Sequence, residues 1–369
     1  MKKVLFATTA LVATASVAAA EVRFSGYGRF GIGYLEDRTG TVGNFNTGVV
    51  RTNTNTNTNI NGTGTTQTTT TTTTQTTTTT TTANVLTGAE TDEVILVSRF
   101  RLNIDGVAET DSGVQFSARV RLQADENAGN GEQNSAGLNG ARFSVIYEGL
   151  RVDAGNVSGA FDNLPNYYGN EPGLENFIGQ YAGVDYSFTG YSSTGPGANA
   201  VFFQYAVGDF AFGASYDQRT FAVNGSKQDA DRWDMSVQYS FDNITAALAY
   251  GQTSGLDGTS IEKSSLTVFT LGGEWGDFSG TLFVADDDVQ NDALNGTAYG
   301  LSAAYNIGAA TTLTFAYGGG SADNDTESYG IGAIYDLGGG ASLRGGIGQS
   351  KVGDGDGRLR ADFGAQFNF

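Results

Sequence analysis

Two neighbouring stretches decide how this chain is read: LVSRFRLNID at residues 96–105 and VQFSARVRLQ at residues 114–123. In the first, Leu96, Phe100, Leu102 and Ile104 alternate with Arg99, Arg101, Asn103 and Asp105. In the second, Val114, Phe116, Ala118, Val120 and Leu122 alternate with Gln115, Ser117, Arg119, Arg121 and Gln123. Successive side chains of a strand point to opposite faces, so each stretch is a strand with one apolar and one polar side. Residues 109–113 form a short turn between them.

The same pattern recurs along the chain. Short turns fall at Glu148-Gly149, Gly208-Asp209, Asp242-Asn243, Gly276-Asp277, Gly308-Ala309 and residues 338–340, all turn-forming sequences. The alternate connections are longer and polar, at 127–140, 156–199, 218–231, 253–264, 286–295, 321–327 and 353–357. Counted from residues 22–34 to residues 358–369, the strands number about sixteen, and short turns on one end with long loops on the other is the asymmetry of an outer-membrane barrel. An even count puts both termini on the short-turn side.

Soluble sandwiches alternate too. The barrel is favoured because the polar face carries Gly, Ser, Thr, Asn and charges, leaving no second apolar face to form a core. The other face carries aromatics near strand ends, such as Tyr239, Tyr250, Trp275, Tyr305, Tyr317 and Tyr335, in the manner of girdles flanking a lipid band. About sixteen strands enclose an aqueous lumen rather than a packed core.

Composition agrees. There are 54 Gly and only 3 Pro, and Pro165, Pro172 and Pro196 all fall within residues 156–199. Proline is excluded from central strands, so the rest of the chain is free to be strand and turn. With no His and no Cys there is no Ser-His-Asp triad, Cys nucleophile, disulfide or ordinary zinc or haem site. A net charge of -19 argues against nucleic acid as a partner.

Residues 1–20 read as a secretory leader: Lys2 and Lys3, a short apolar stretch at 4–12, then Ala18, Ala19 and Ala20 before Glu21. The apolar run is too short for a membrane anchor. Beyond it no apolar run approaches a spanning helix, so residues 21–369 cross a membrane only as a closed barrel. Residues 39–92 are Asn, Gly and above all Thr, a composition that cannot bury enough apolar surface to order itself. A solvated loop extension is the plain reading of this segment; a glycan-carrying or adhesive tract is the alternative.

The mature start Glu21-Val22-Arg23-Phe24-Ser25-Gly26, the run Gly155-Asn156-Val157-Ser158-Gly159-Ala160-Phe161-Asp162, residues 335–343 and the terminal Gln366-Phe367-Asn368-Phe369 resemble the general porins of alphaproteobacteria, the Rhodobacter type. The resemblance covers the mature chain except the Thr-rich insert. It implies a homotrimer of 16-stranded antiparallel transmembrane barrels, a third loop (residues 156–199) folded into each lumen as a constriction, and a C-terminal Phe369 read by the barrel-insertion machinery. It also implies an outer-membrane location among lipid and lipopolysaccharide.

If the apolar positions face lipid, Arg23, Arg29, Arg99, Arg101, Arg119, Arg121, Arg142 and Arg151 face the lumen from the first five strands as one basic wall. The segment resembling the constriction loop contains Asp162, Glu171, Glu175 and Asp185. A basic wall opposite an acidic loop sets up a transverse field that favours small hydrophilic solutes. In the competing reading these arginines only neutralise lumen carboxylates such as Asp105, Asp153 and Glu148.

Two other motifs carry less. Gly26-Tyr27-Gly28-Arg29-Phe30-Gly31 satisfies G-x-G-x-x-G, yet no strand precedes it and no helix follows, so its glycines are expected to thin the outer wall where subunits pack. Asp286-Asp287-Asp288 and Asp354-Gly355-Asp356 offer oxygens to Ca²⁺ but lack the full 12-residue calcium loop, so no cofactor is expected. Acidic loops could also bridge divalent cations to lipopolysaccharide.

Three function classes follow: a passive diffusion channel, a surface adhesin or structural barrel working through its Thr-rich loop, and a barrel enzyme. The missing histidine removes the usual general base and disfavours the last. The channel leads, with a weak cation preference from the acidic excess. Deleting residues 53–82 should leave single-channel conductance intact in a planar bilayer; loss of the channel on that deletion would favour the adhesin class.

Overall fold

A computed structural model of the chain describes residues 20–42, 86–90, 92–127, 132–175, 177–223, 226–254 and 263–369. The leader up to residue 19 and residues 43–85 of the Thr-rich tract lie outside the described residues, but the ends of the stretch 39–92, expected to stay unstructured throughout, pair as a short antiparallel ribbon, Thr39–Val42 with Leu86–Glu90.

Period-2 alternation becomes an antiparallel sheet closed on itself. Its first eight strands are β1 (Glu21–Leu35), β2 (Val94–Glu109), β3 (Gln115–Asn127), β4 (Arg142–Tyr147), β5 (Leu150–Gly155), β6 (Ala200–Val207), β7 (Phe210–Val223) and β8 (Ser226–Phe241). The second eight are β9 (Ile244–Thr253), β10 (Ser264–Trp275), β11 (Phe278–Asp288), β12 (Gly296–Ile307), β13 (Thr311–Gly320), β14 (Thr326–Gly338), β15 (Ala341–Val352) and β16 (Arg358–Asn368). Each strand pairs with its sequence neighbour, and β16 pairs with β1 from Tyr27↔Asn368 to Leu35↔Arg360, which closes a sixteen-stranded barrel. Two short pairings on β3, Glu132–Gln133 and Gly137–Leu138, lead into β4.

The turns follow their sequences. Tyr147 pairs with Leu150, Val207 with Phe210, Phe241 with Ile244 and Trp275 with Phe278, each across two residues. The first residue of each turn, Glu148, Gly208, Asp242 or Gly276, takes a positive φ, the backbone that tight hairpins demand. One expected connection is corrected. Residues 218–231 were read as a long polar loop, but β7 and β8 stay paired from Gln218↔Asp231 to Val223↔Ser226. Thr220, Phe221 and Val223 are strong strand formers, and the intervening Asn224-Gly225 is itself a hairpin signal.

The outer face is apolar. Leu96 is 76% exposed, and Phe24, Phe30, Leu282, Ile331 and Phe363 are exposed beside it on other strands. Tyr239, Tyr250, Trp275, Tyr305 and Tyr335 are exposed at strand ends, the two levels at which amphipathic rings meet a membrane surface. Gly26 and Gly28 also face outward, and they are covered. A side chain on Gly28 would meet the Phe367 ring at 2.6 Å, and one on Gly26 would meet Phe369 Cζ at 3.1 Å. These glycines therefore seat the C-terminal aromatics of the same chain. Phe369 stacks on Phe100 at 5.9 Å, and its amide and carbonyl pair with Gly26 at 3.0 and 2.9 Å.

The inner face departs from the expected polar lining. Ala247, Ala249, Leu266, Val268, Phe283, Ala285 and Ala298, from β9 to β12, are buried against Phe161, Leu164, Tyr167 and Tyr186. All four partners belong to residues 156–199, which leave β5, cross the lumen and return to β6. The barrel has a second apolar patch after all, because a loop with its own aromatics must bury them somewhere.

Phe283, 1% exposed, meets Tyr167 edge to face at 5.2 Å. Phe283→Ala should cost about 3–5 kcal/mol of this docking. Limited proteolysis should then cut within residues 156–199 while the barrel keeps its strand circular dichroism. Unchanged protease resistance would show that the loop does not depend on this core.

Candidate functional site

The loop can lie on the wall because the wall is locally bare. A side chain on Gly300 of β12 would fall on the Gln180 carbonyl, and one on Gly346 of β15 would come within 2.9 Å of both the Gly173 amide and the Phe177 ring. Polar contacts then fix the register. Gln180 is fully buried and donates to the Tyr167 carbonyl at 3.2 Å, while Ser302 Oγ accepts from Asn170 N at 2.8 Å. Ser215 Oγ accepts from Ala160 N at 2.9 Å and donates to Asp234 at 2.8 Å. Arg232 grips Asp217 through two bonds of 2.7 and 3.0 Å, and both are buried. Removing one partner of such a pair strands the other charge, at a cost of about 3–5 kcal/mol.

Glu175 is the point at which loop meets basic wall. Its Oε1 receives Arg99 Nη2 at 2.6 Å and also pairs with Arg29. Asp362 of β16 accepts the Leu174 and Glu175 amides at 2.8 and 2.7 Å, and Arg29 Nη1 donates to the Leu174 carbonyl at 3.1 Å. The loop is thus fastened across the seam at which the first and last strands join. Arg29 and Arg99 are direct cross-strand partners. Two like charges so placed repel, and Glu175 offsets them.

The other arginines divide into two kinds. Arg119 holds Asp105 through bonds of 2.6 and 3.0 Å, Arg151 holds the fully buried Asp153 at 2.5 Å, and Arg99 also pairs with Asp125. Arg101, Arg121 and Arg142 meet neutral partners instead: Arg101 donates to Gln123 at 2.6 Å, Arg121 to Asn103 at 2.8 Å, and Arg142 lies over the Tyr191 ring. Ion-paired arginines and arginines with neutral partners therefore stand side by side along one wall. Arg23 does not join it: it is exposed at the short-turn rim and bound to Glu21 at 2.8 Å. Glu148 sits in a turn at the same end.

Each loop acid is placed differently. Asp162 accepts the Tyr168 hydroxyl and the Tyr191 amide, at 2.5 and 3.1 Å. Glu171, on the loop's exposed edge, accepts the Tyr181 hydroxyl at 2.7 Å. Confinement in the lumen holds the Glu171 carboxyl above the usual range, although Tyr181 and the charge of Arg29 pull it down. Burial and these carboxylates push the Tyr168 and Tyr181 phenols up, so they stay donors at neutral pH. Asp185 lies apart from the wall, beside Asp287 of β11, whose Oδ2 accepts the Asp185 and Tyr186 amides at 2.5 and 3.0 Å. Among the described residues no group of three or more His, Cys, Asp or Glu side chains is arranged to hold a metal ion.

The sequence reading missed the far side of the wall. Arg344 of β15 and Arg360 of β16 are half-buried; the pairing of β15, β16 and β1 brings Arg344 close to Arg29, while Arg360 lies opposite Leu35, toward the long-loop end. The signal was available, since closing an even barrel necessarily makes the last strands neighbours of the first.

The chain matches the family model described as Gram-negative porin over residues 7–355. It is 28% identical over 361 residues to a porin of Fuscovulum blasticum, covering 95% of this chain and all of that one. It is 27% identical over 299 residues to a porin of Rhodobacter capsulatus, covering 74% of this chain and 93% of that one. A solved structure of a substituted Rh. blastica porin superimposes with a TM-score of 0.67 at 26% identity, over 94% of this chain and all of that one. With a closed sixteen-stranded barrel, a polar lumen crossed by one loop and this match, the chain belongs to the Gram-negative porin family, as an outer-membrane diffusion channel for ions and small hydrophilic solutes.

Proposed function

We propose that this channel sorts solutes without catalysis, by a field across the gap between its arginine wall and the loop acids Asp162 and Glu171. The observation that carries this reading is the state of the wall. Arg101, Arg121 and Arg142 stay partly open to the lumen and pair with no carboxylate among the described residues, while the loop covers the apolar patch of β9 to β12. A polar solute crossing there exchanges hydration for these charges, whereas an apolar one gains nothing. The excess of acidic over basic side chains biases the mouth toward cations, and salt screens much of that bias.

We further propose that the working unit is a homotrimer packed around β1 to β5. β4 and β5 have six residues each, about 20 Å of strand before tilt, which is short of an apolar band about 25 Å tall. Irregular backbone at membrane depth must be covered by protein, and a neighbouring barrel supplies that cover. Glu175 and its arginine partners act as the loop's clasp, and no resident cofactor enters this reading. Phe369, seated in the outer wall at the short-turn end, is in this reading the residue that the insertion machinery recognises.

Planar-bilayer recording under a KCl gradient tests both proposals. Large steps closing in threes, with a small cation-directed reversal potential, are the expected result; single closures would remove the trimer and an anion-directed potential would remove the predicted sign. Because the Glu171 carboxyl titrates above the usual glutamate range, it loses its charge early as pH falls from neutrality. Cation preference should therefore decline already above about pH 4.5, and Glu171→Gln should flatten that part of the curve. An unaltered pH profile in the variant would take Glu171 out of the field.

A further inference from the structure

Three of the wall arginines pose a chemical question. Arg101, Arg121 and Arg142 converge on one short piece of the loop, Tyr191 to Ser193. Arg101 Nη2 and Arg121 Nη1 both donate to Ser193 Oγ, at 3.3 and 2.7 Å. The guanidiniums of Arg121 and Arg142 lie 4.6 and 5.5 Å from the Tyr191 ring centroid. The charged neighbours acting on Arg121 are cations too, Arg101 and Arg119. Asp162 commits its oxygens to Tyr168 and to the Tyr191 amide and forms no ion pair with the three.

What is missing here is an acceptor. Ser193 Oγ receives two N–H groups and keeps its own O–H to donate. Tyr191 Oη and Arg142 Nε are both shielded from solvent without a hydrogen-bond partner. The loop segment is held firmly meanwhile: Asn156 Oδ1 accepts the Ser192 amide at 2.9 Å, and Asn156 and Asn139, both buried, donate to the Ser192 carbonyl at 2.8 and 2.6 Å. Asp153 acts on Arg142 and Asp125 on Arg101 from a distance, yet none of the three guanidiniums is ion-paired among the described residues, and hydroxyl and guanidinium donors gathered in this way are what an oxyanion satisfies.

We propose that Arg101, Arg121 and Arg142, gathered on Tyr191 and Ser193, form a binding subsite for the carboxylate or phosphate group of a permeating solute. The inference rests on the channel reading and adds a solute class to it. A channel that weakly prefers cations overall thereby retains one place where an anionic nutrient pauses during passage.

The test is single-channel KCl conductance in a planar bilayer, with inorganic phosphate or acetate titrated on one side. Phosphate should reduce the current with a saturating dependence. Arg121→Gln and Arg142→Gln should each raise the half-blocking concentration about tenfold. Arg142→Lys, which keeps the charge but loses the planar fork, should restore only part of the block, and Tyr191→Phe should weaken it without any change of charge. Lys351→Gln, which removes a rim charge paired with Glu327 at 3.0 Å, should leave it within about twofold, as expected of a screened surface charge. Block by phosphate alone would identify the phosphate source, and equal block by acetate would extend the site to carboxylates. A current that falls linearly without saturation, or full rescue by Arg142→Lys with no effect of Tyr191→Phe, would overturn the subsite in favour of diffuse charge. Absence of any conductance in the unsubstituted protein would instead refute the channel reading. Heat-modifiable electrophoretic mobility shows that each variant is folded before it is recorded.

Discussion

Hydrocarbon offers no partner for a peptide N–H or C=O, and the rest of this structure depends on how the chain meets that constraint. It does so by pairing β16 with β1, so that no strand edge is left open. Once the ladder is closed, the outer face has only to be apolar, and the inner face is released from forming a core. That release allows arginines and aspartates to stand on adjacent inward positions, and lets a loop of more than forty residues settle inside.

The loop then redistributes the charge it meets. Where Arg29 and Arg99 face each other across a strand pair, Glu175 of the loop comes between them, while the wall's own Asp105 and Asp153 neutralise Arg119 and Arg151 one to one. Neutralisation stops short of Arg101, Arg121 and Arg142. The contrast is the physical content of the site: some arginines are held by carboxylates, and others bond only to neutral groups of the wall and loop. Tyrosine hydroxyls complete the division by occupying Asp162 and Glu171 without cancelling their charge.

Much of this was readable from the chain. The alternation at residues 96–105 and 114–123 gave both strands and the inward side of four arginines, because period 2 leaves no other assignment. Local turn chemistry located the hairpins at Glu148 and Asp242. What escaped was of two kinds. Leu266 and Val268 alternate with Phe269 and Leu271, so β10 is apolar on both faces, the mark of a strand covered on both sides. That signal was overlooked because a lumen was assumed to be wet throughout. The grip of Asp362 on Leu174 was inaccessible for a different reason: 188 residues separate them, and nothing local to either one reports the other.

The seam fastening also bears on the order of events during biogenesis. Leu174 and Glu175 are held jointly by Arg29 from the first strand, Arg99 from the second and Asp362 from the last. Arg29 and Arg99 are already paired in the first hairpin, but Asp362 joins them only when the two ends of the chain come together. The clasp at the seam is therefore completed only by the final strand, and a chain stalled before β16 forms neither a sealed wall nor a fully fastened loop.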